Sequence, residues 1–187
     1  MAPKHQERDH RCVQRIQEGD SNALAELYDR YTPLLYSVAL QILRSPADAE
    51  DAIQETWLQA WKRSMTYDPR RGTVAAWLLT VARTRALDRY RGKASRGRAE
   101  SRPDLDPRPA PGDPAALAAH TDLSKRVREA LDQLQPQQRR VLEIAYFRGL
   151  SQSEIAEELG APLGTVKSWT RQGLLRLREM LPQEEWV

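Results

Sequence analysis

The chain has 187 residues, a net charge of +3 and 40% hydrophobic residues, and its mean hydropathy is −0.70. This length allows one ordinary domain or two small ones, and the low apolar content limits the size of any single core. No run of about 18 apolar residues occurs, which excludes a conventional membrane-spanning helix. The charged N-terminus lacks the apolar segment of a signal peptide. We therefore expect a cytoplasmic protein that does not insert directly into a membrane.

The N-terminal segment contains three potential metal ligands, His5, His10 and Cys12. Three donors in a terminal segment make a weak metal site, and a free thiol on a short helix is the preferred alternative. Cys12 is the only cysteine and cannot form an intrachain disulfide. We expect no metal and no cofactor.

For residues 1–20 the sequence predicts a tail and a short helix capped by Asp9. For residues 21–93 it predicts a helical domain. Ser21 is expected to cap the first helix of that domain, in which apolar residues recur at intervals of three and four. Pro33 should kink or split this helix, because proline lacks a backbone donor and clashes with the preceding turn.

Two further helices of this domain have clear start signals. Ser45 and Pro46 provide an N-cap and a first-turn proline for one helix. A loop over 65–73 follows, and its last residue, Thr73, is predicted to cap the other helix. Both helices are long enough to contribute one face to a core and one face to a surface.

These two helices carry opposite charges. The packed face of the first contains Ile53, Trp57, Ala60 and Trp61, and its other face carries Asp48, Asp51, Glu55, Leu58 and Gln59. The second is basic, with Arg83, Arg85, Arg89, Arg91 and Lys93. An exposed leucine among acids indicates either a partner surface or a solvated face. Basic residues accompanied by Trp77, Tyr90 and the loop residue Tyr67 favour nucleic acid, with Trp77 expected mainly in the core.

A proline-rich stretch separates two helical blocks. Residues 94–120 contain five prolines, at 103, 107, 109, 111 and 114, and few large apolar side chains. Such a composition cannot maintain a helix or form a core. We therefore predict an all-α protein of two small domains joined by a flexible linker over 94–120.

The second block, residues 121–187, predicts a helix-turn-helix. Pro136 opens one helix, and Ser151 with Glu154 forms a capping box for the next. Within that next helix Ala156 allows a close helix crossing, and Gly160 allows the left-handed turn that follows. A plain helical hairpin is the alternative to DNA binding.

The last helix should present its N-terminal residues to a DNA groove. At about 100° per residue, the packed side contains Val166, Thr170, Gly173, Leu174, Leu177 and Leu181. The groove-facing residues are then Lys167, Ser168, Arg171 and Gln172, whose side chains can read bases or bind phosphate. Trp169 falls on a flank, where we expect it to pack across the helix pair beside Gly173.

Four segments together resemble a known family. They are "ALAELYDRYTPLLYSVAL", "DAEDAIQETWLQAW", "TVAAWLLTVARTRALDRYR" and "GLSQSEIAEELGAPLGTVKSW". In this order and spacing, the chain resembles a bacterial RNA polymerase sigma factor of the extracytoplasmic-function (ECF) group over roughly 20–93 and 121–181. The resemblance implies a transcription initiation factor that has no enzymatic activity and is held inactive by an anti-sigma factor.

The resemblance also implies three sets of contacts. Core RNA polymerase, through the clamp helices of its beta-prime subunit, would contact Asp48, Asp51, Gln54, Glu55 and Leu58. The −10 promoter element would be opened and read by Tyr67, Trp77, Arg83, Thr84, Asp88, Arg89 and Arg91. The −35 element would be read as a duplex by Thr165, Lys167, Ser168, Trp169, Arg171 and Gln172.

Three positions depart from the family pattern. Thr84 stands where the family often has asparagine, Trp169 where it often has arginine, and Gln172 where it often has a basic residue. These changes imply altered preferences at both promoter elements. Three other classes remain open: a stand-alone helix-turn-helix regulator of the LuxR type, a polymerase-binding protein that does not initiate, and an RNA-binding accessory protein.

Overall fold

The computed structural model describes residues 3–96 and 121–181, which belong to two compact units. Within those ranges every regular element is helical, so the all-α prediction is confirmed. The first unit contains α1 (Pro3–Gln17), α2 (Ser21–Leu43), α3 (Pro46–Lys62) and α4 (Val74–Arg96). The second contains α5 (Thr121–Asp132), α6 (Pro136–Glu143), α7 (Gln152–Leu159) and α8 (Leu163–Met180). None of the described helices is long and apolar enough to cross a membrane.

The predicted linker begins later than the sequence indicated. Helix α4 continues through Arg96, so residues 94–96 are helical rather than extended. The rest of the predicted linker, 97–120, lies outside the described residues, as do 182–187 of the predicted C-terminal domain. Its flexibility therefore stays a prediction.

In the first unit, α2, α3 and α4 pack against one another and α1 packs against α2. Helix α2 buries one side chain per turn along a single stripe, namely Ala23, Leu27, Tyr31, Leu35, Ala39 and Ile42. The three- and four-residue spacing of this stripe is what an amphipathic helix needs to contribute to a core. From α3 and α4 the core receives Ile53, Trp57 and Leu78 among others.

Helix α1 is longer and better packed than predicted. It begins at Pro3, so Asp9 lies inside it rather than at its N-cap. The Asp9 carboxylate is buried, accepts a hydrogen bond from the Tyr31 hydroxyl, and pairs with Arg30. The acid therefore joins α1 to α2, where the sequence had indicated a cap.

The caps of α2, α3 and α4 follow the sequence signals, except that the cap of α2 lies one residue earlier than predicted. The N-cap of α2 is Asp20, whose carboxylate accepts from the backbone N–H of Asn22, and Ser21 is already helical. Pro33 lies within α2 and does not split it. The predicted caps are confirmed for Ser45 of α3 and for Thr73, whose hydroxyl accepts from the N–H of Ala76.

The second unit has the predicted helix-turn-helix. Ser151 and Glu154 form the capping box at the start of α7, and Gly160 at its end has a φ of 59°. Helices α6, α7 and α8 surround a core of Val141, Ile144, Ile155, Ala156 and Val166. A π-helical segment, Ile144–Arg148, continues α6, and Gly149 follows it as the C-cap.

Candidate nucleic-acid and protein interfaces

The outer face of α3 is exposed over most of its predicted residues. Leu58 is 53% exposed, and Gln54, Asp51 and Glu55 are exposed with it. Asp48 differs from the prediction, because it is buried at 7% exposure. The acidic face therefore consists of an exposed part and one buried carboxylate.

The α3 carboxylates are held by two basic residues of α4. The Arg89 guanidinium donates from Nε to Asp48 at 3.3 Å and from Nη1 to Glu55 at 3.0 Å, and its Nη2 pairs with Asp51. Lys93 donates to the second oxygen of Asp48 at 2.5 Å. Lys93, the Ser45 hydroxyl and Arg89 lower the pKa of Asp48 to about 2, although burial acts in the opposite direction. We call the five charged residues the α3–α4 charge cluster: Asp48, Asp51, Glu55, Arg89 and Lys93.

This cluster corrects the expected exposure of Asp48 and gives Arg89 partners that the sequence did not indicate. Asp48 was expected on the exposed partner surface, yet its carboxylate faces α4. Each nitrogen of the Arg89 guanidinium donates to a carboxylate of α3, and the expected contact of Arg89 with DNA phosphate stays a prediction. The periodicity of one helix assigns a side chain to a face, but it does not reveal an ion pair that a neighbouring helix supplies.

The loop between α3 and α4 is ordered by aromatic contacts and short 3₁₀ helices, Ser64–Thr66 and Pro69–Arg71. Tyr67 lies between His10 and Trp77, with ring centroids 5.6 Å and 5.4 Å away. Its hydroxyl donates to the carbonyl of Gly72 at 3.1 Å. Burial, with Asp68 adding a smaller effect, raises the pKa of Tyr67 to about 12, so the phenol is protonated at neutral pH.

Helix α1 also contacts this loop directly. The Gln17 amide donates to the carbonyl of Ser64 at 2.8 Å, and His10 packs against Tyr67. The sequence of α1 did not indicate that it contacts the loop. The contacting residues are distant in sequence, and polar side chains such as Gln17 and His10 are common on the exposed face of any helix.

The remaining predicted −10 residues lie along α4. Thr84, Asp88 and Arg91 are exposed, whereas Arg83 and Trp77 are half-buried. The Thr84 hydroxyl donates to the carbonyl of Thr80 at 2.7 Å, and the exposed Thr80 donates in the same way to the carbonyl of Ala76 at 2.8 Å. Thr80 shares this exposed ridge and was missed by the sequence analysis.

The four residues of α8 that were predicted to face a groove lie on the surface of the second unit. Lys167, Ser168, Arg171 and Gln172 are all exposed, and Thr165 is half-buried. Val166 and Gly173 are buried, as predicted for the packed side. Leu174, also placed on that side, is 54% exposed, so its assignment was wrong.

Trp169 occupies the position that the angular argument gave it. It is half-buried and packs against the core of the second unit. The space beside Gly173 is occupied by side chains of α6. A Cβ on this glycine would lie 3.0 Å from Cδ1 of Leu142 and 3.3 Å from Cβ of Gln138.

Potential metal ligands do not converge in the described residues, among which no group of three or more His, Cys, Asp or Glu side chains could hold a metal. His5 lies in a part of α1 whose side chains are not described. Cys12 is buried and its thiol lies 3.7 Å from a carboxylate oxygen of Glu26. Burial is the main cause that raises the pKa of this thiol, so Cys12 is a weaker nucleophile than an exposed cysteine.

The fold is a pair of small helical units, the second of which contains a helix-turn-helix, and comparison with known families identifies its class. The family model described as Sigma-70 region 2 matches residues 27–96, and Sigma-70, region 4 matches 130–179. An ECF RNA polymerase sigma factor SigK of Mycobacterium sp. (strain JLS) is 35% identical over 173 residues, which cover 90% of this chain and 88% of the relative. The SigK of Mycobacterium bovis (strain BCG / Pasteur 1173P2) is 36% identical over 90% of this chain and 91% of the relative.

Among solved structures, Rhodobacter sphaeroides SigE in complex with the anti-sigma ChrR is 29% identical, with a TM-score of 0.47. The match covers 92% of this chain and 97% of the SigE chain. The family matches and the curated relatives decide the assignment. The chain belongs to the ECF group of RNA polymerase sigma factors, transcription initiation factors that direct core polymerase to promoters.

Proposed function

We propose that the two units of this sigma factor divide promoter recognition between them. The first unit binds core polymerase through the exposed face of α3 and opens the −10 element with α4 and the preceding loop. The second unit reads the −35 element as a duplex with the N-terminal part of α8. The observation that carries this proposal is the exposure of Leu58 with Gln54 on α3, in a segment that matches Sigma-70 region 2.

In this proposal some residues of the surface contact the polymerase and others hold them in position. Gln54 and Leu58 contact the clamp helices together with the exposed carboxylates of Asp51 and Glu55. Arg89 holds those two carboxylates in place. Asp48 supports the surface from inside the domain, because its own carboxylate is engaged by Arg89 and Lys93.

At the −10 element, an extruded base is held by the loop that contains Tyr67, near Trp77. Stacking on aromatic side chains is a general way to hold an unstacked base. Thr84 and Thr80 use their O–H groups within α4, so each hydroxyl presents acceptor lone pairs to DNA. We therefore propose that this ridge favours base edges that donate hydrogen bonds, with Arg83, Asp88 and Arg91 alongside it.

At the −35 element, Lys167, Ser168, Arg171 and Gln172 meet the major groove, and Thr165 lies at its margin. Trp169 mainly stabilises the packing of α8, and its indole N–H can donate to a phosphate. An arginine, which many relatives are expected to carry here, can donate two hydrogen bonds to guanine, whereas an indole cannot. Its replacement supports a −35 preference that differs from that of many relatives.

In vitro transcription tests this function. Core polymerase with the purified chain is incubated with a library of genomic fragments, and transcript 5′ ends are compared with those from core polymerase alone. New start sites that share −10 and −35 motifs are the expected result. Polymerase binding without new start sites would favour the non-initiating alternative, and promoter binding without polymerase would favour a stand-alone regulator.

A single substitution tests the polymerase surface. Leu58→Arg should reduce capture of core polymerase at least tenfold, because it replaces an exposed apolar contact with a charge. The Leu58 side chain is 53% exposed, so the fold should be retained. Ala25→Arg, on the exposed side of α2, is the matched control and should bind normally. Normal capture by Leu58→Arg would remove α3 from the interface.

The proposal has three further parts. An anti-sigma factor binds the free chain and competes with polymerase, and addition of that protein should suppress run-off transcription.

RNA synthesis is performed by the polymerase alone, so this chain contributes no catalytic group. The protein acts in the cytoplasm, where core polymerase and the promoters are found.

A further inference from the structure

A buried glutamine lies directly beneath the DNA-facing side of α8. Gln138 of α6 is only 4% exposed. Its Cβ approaches Gly173 so closely that a Cβ there would lie 3.3 Å away. The glycine therefore lets α6 pack tightly on α8 and brings the Gln138 amide to the base of the reading surface.

The Gln138 amide begins a series of hydrogen bonds that includes two exposed residues of α8. Its Nε2 donates to Oε1 of Gln172 at 3.2 Å, and Nε2 of Gln172 donates to Oγ of Ser168 at 3.3 Å. An amide has two N–H donors and two oxygen lone pairs. These two bonds leave Gln172 with one N–H and one lone pair, which is the combination that a bidentate contact to adenine requires.

The remaining polar atom of Gln138 argues against a purely structural role. Its Oε1 is buried and has no hydrogen-bond partner among the described residues. A buried acceptor without a partner destabilises a fold by about 1–3 kcal/mol. On this count an apolar side chain of similar length would suit the domain equally well or better, and the bond to Gln172 is what the amide of Gln138 adds.

We propose that Gln138 is a positioning residue for DNA sequence recognition: its buried N–H fixes the Gln172 amide, and so sets the base that Gln172 prefers. A free exposed glutamine loses considerable side-chain entropy when it orders on DNA. The bond from Gln138 reduces that loss in advance and favours one orientation of the amide. This inference rests on the proposed function, in which α8 reads the −35 element.

The test uses the complete chain with core polymerase and a promoter library randomised at the −35 element. Gln138→Met keeps the length of the side chain and removes both the donor and the unsatisfied acceptor. The preference at one −35 position should fall roughly fivefold or more, while the melting temperature stays the same or rises. Gln137→Met, the exposed neighbour on α6, is the matched control and should keep the wild-type preference.

A double-mutant cycle separates positioning from general packing. In a Gln172→Ala background, Gln138→Met should cause no further loss at that position, since its effect acts through Gln172. Gln138→Leu repeats the measurement if the methionine variant does not fold. A uniform loss across all −35 sequences, or an unchanged preference, would overturn the inference.

The same library distinguishes this inference from the proposed function. If the wild-type chain shows no −35 preference, the reading role of α8 fails and the role of Gln138 fails with it. If the wild-type chain discriminates and Gln172→Ala does not, the reading role holds. Retained discrimination by a folded Gln138→Met chain would then refute the positioning role alone.

Discussion

The carboxylate of Asp48 links the stability of the first unit to pH. Lys93, Ser45 and Arg89 lower its pKa from 3.8 to about 2. A folded pKa below the unfolded value means that the stabilisation is complete above pH 4 and is lost as the pH falls through about 2. The charge cluster should therefore weaken in acid while remaining intact throughout the neutral range.

Asp48→Asn tests this coupling. The variant should be less stable than the wild type at pH 7, because the Lys93 and Arg89 charges lose a partner. Between pH 4 and pH 2 it should lose less stability than the wild type, because the group that titrates is gone. Urea unfolding midpoints measured across this range provide the comparison.

A second substitution controls for general acid effects. Asp29→Asn removes an exposed carboxylate from α2 and should keep the pH profile of the wild type. If the acid-dependent loss is as large in Asp48→Asn as in the wild type, the carboxylate of Asp48 is not its source.

Single residues also show what a helical wheel can predict. The exposure of Lys167 and Arg171 and the packing of Trp169 follow from angular position on one helix, and the structure agrees with both. The burial predicted for Leu174 is wrong, because burial also requires a neighbouring helix that extends over that position. Gln138 was missed because a hydrogen bond to Gln172 leaves no periodic signal in either helix.

At the scale of the elements, α1 supports the loop that precedes α4. Buried Cys12, Val13 and Ile16 anchor the helix. Its polar side chains then reach the loop through Gln17 and His10. Sigma-70 region 2 matches from residue 27 onward, so α1 lies outside that match.

The loop contacts predict a role for α1 in promoter opening. Gln17→Leu should reduce open-complex formation roughly fivefold, since one lost hydrogen bond corresponds to about 1 kcal/mol. Permanganate reactivity of thymines at the −10 element measures the opening, and polymerase binding should be unchanged.

An exposed glutamine of the same helix provides the control. Gln14→Leu should open promoters like the wild type. Adding His10→Ala to Gln17→Leu should reduce opening further, because His10 also contacts the loop. Wild-type opening by a folded double variant would contradict the role of α1.

The sequence predicted the helices and their order better than it predicted the contacts between them. Caps such as Ser45 and the Ser151–Glu154 box are local, because donor and acceptor lie within four residues. The charge cluster joins residues 34 to 45 positions apart. Neither helix alone contains the information that Arg89 of α4 pairs with carboxylates of α3.

At the scale of the whole molecule, each unit has its own core and its own candidate recognition surface. Substitutions in separate units with no shared partners usually have additive effects. Thr84→Asn should change the preference at the −10 element, and Gln172→Ala should change it at the −35 element. We expect the double variant to show the sum of the two changes in free energy within about 0.5 kcal/mol.

Holoenzyme transcription from promoters that vary at one element or at both measures all four combinations. Each single variant should retain the wild-type preference at the element that it does not contact. A pair within one unit, Gln138→Met with Gln172→Ala, should by contrast be clearly non-additive, because the two side chains share a hydrogen bond. A deviation well above 0.5 kcal/mol for Thr84→Asn with Gln172→Ala would show that the two promoter elements are read in a coupled way.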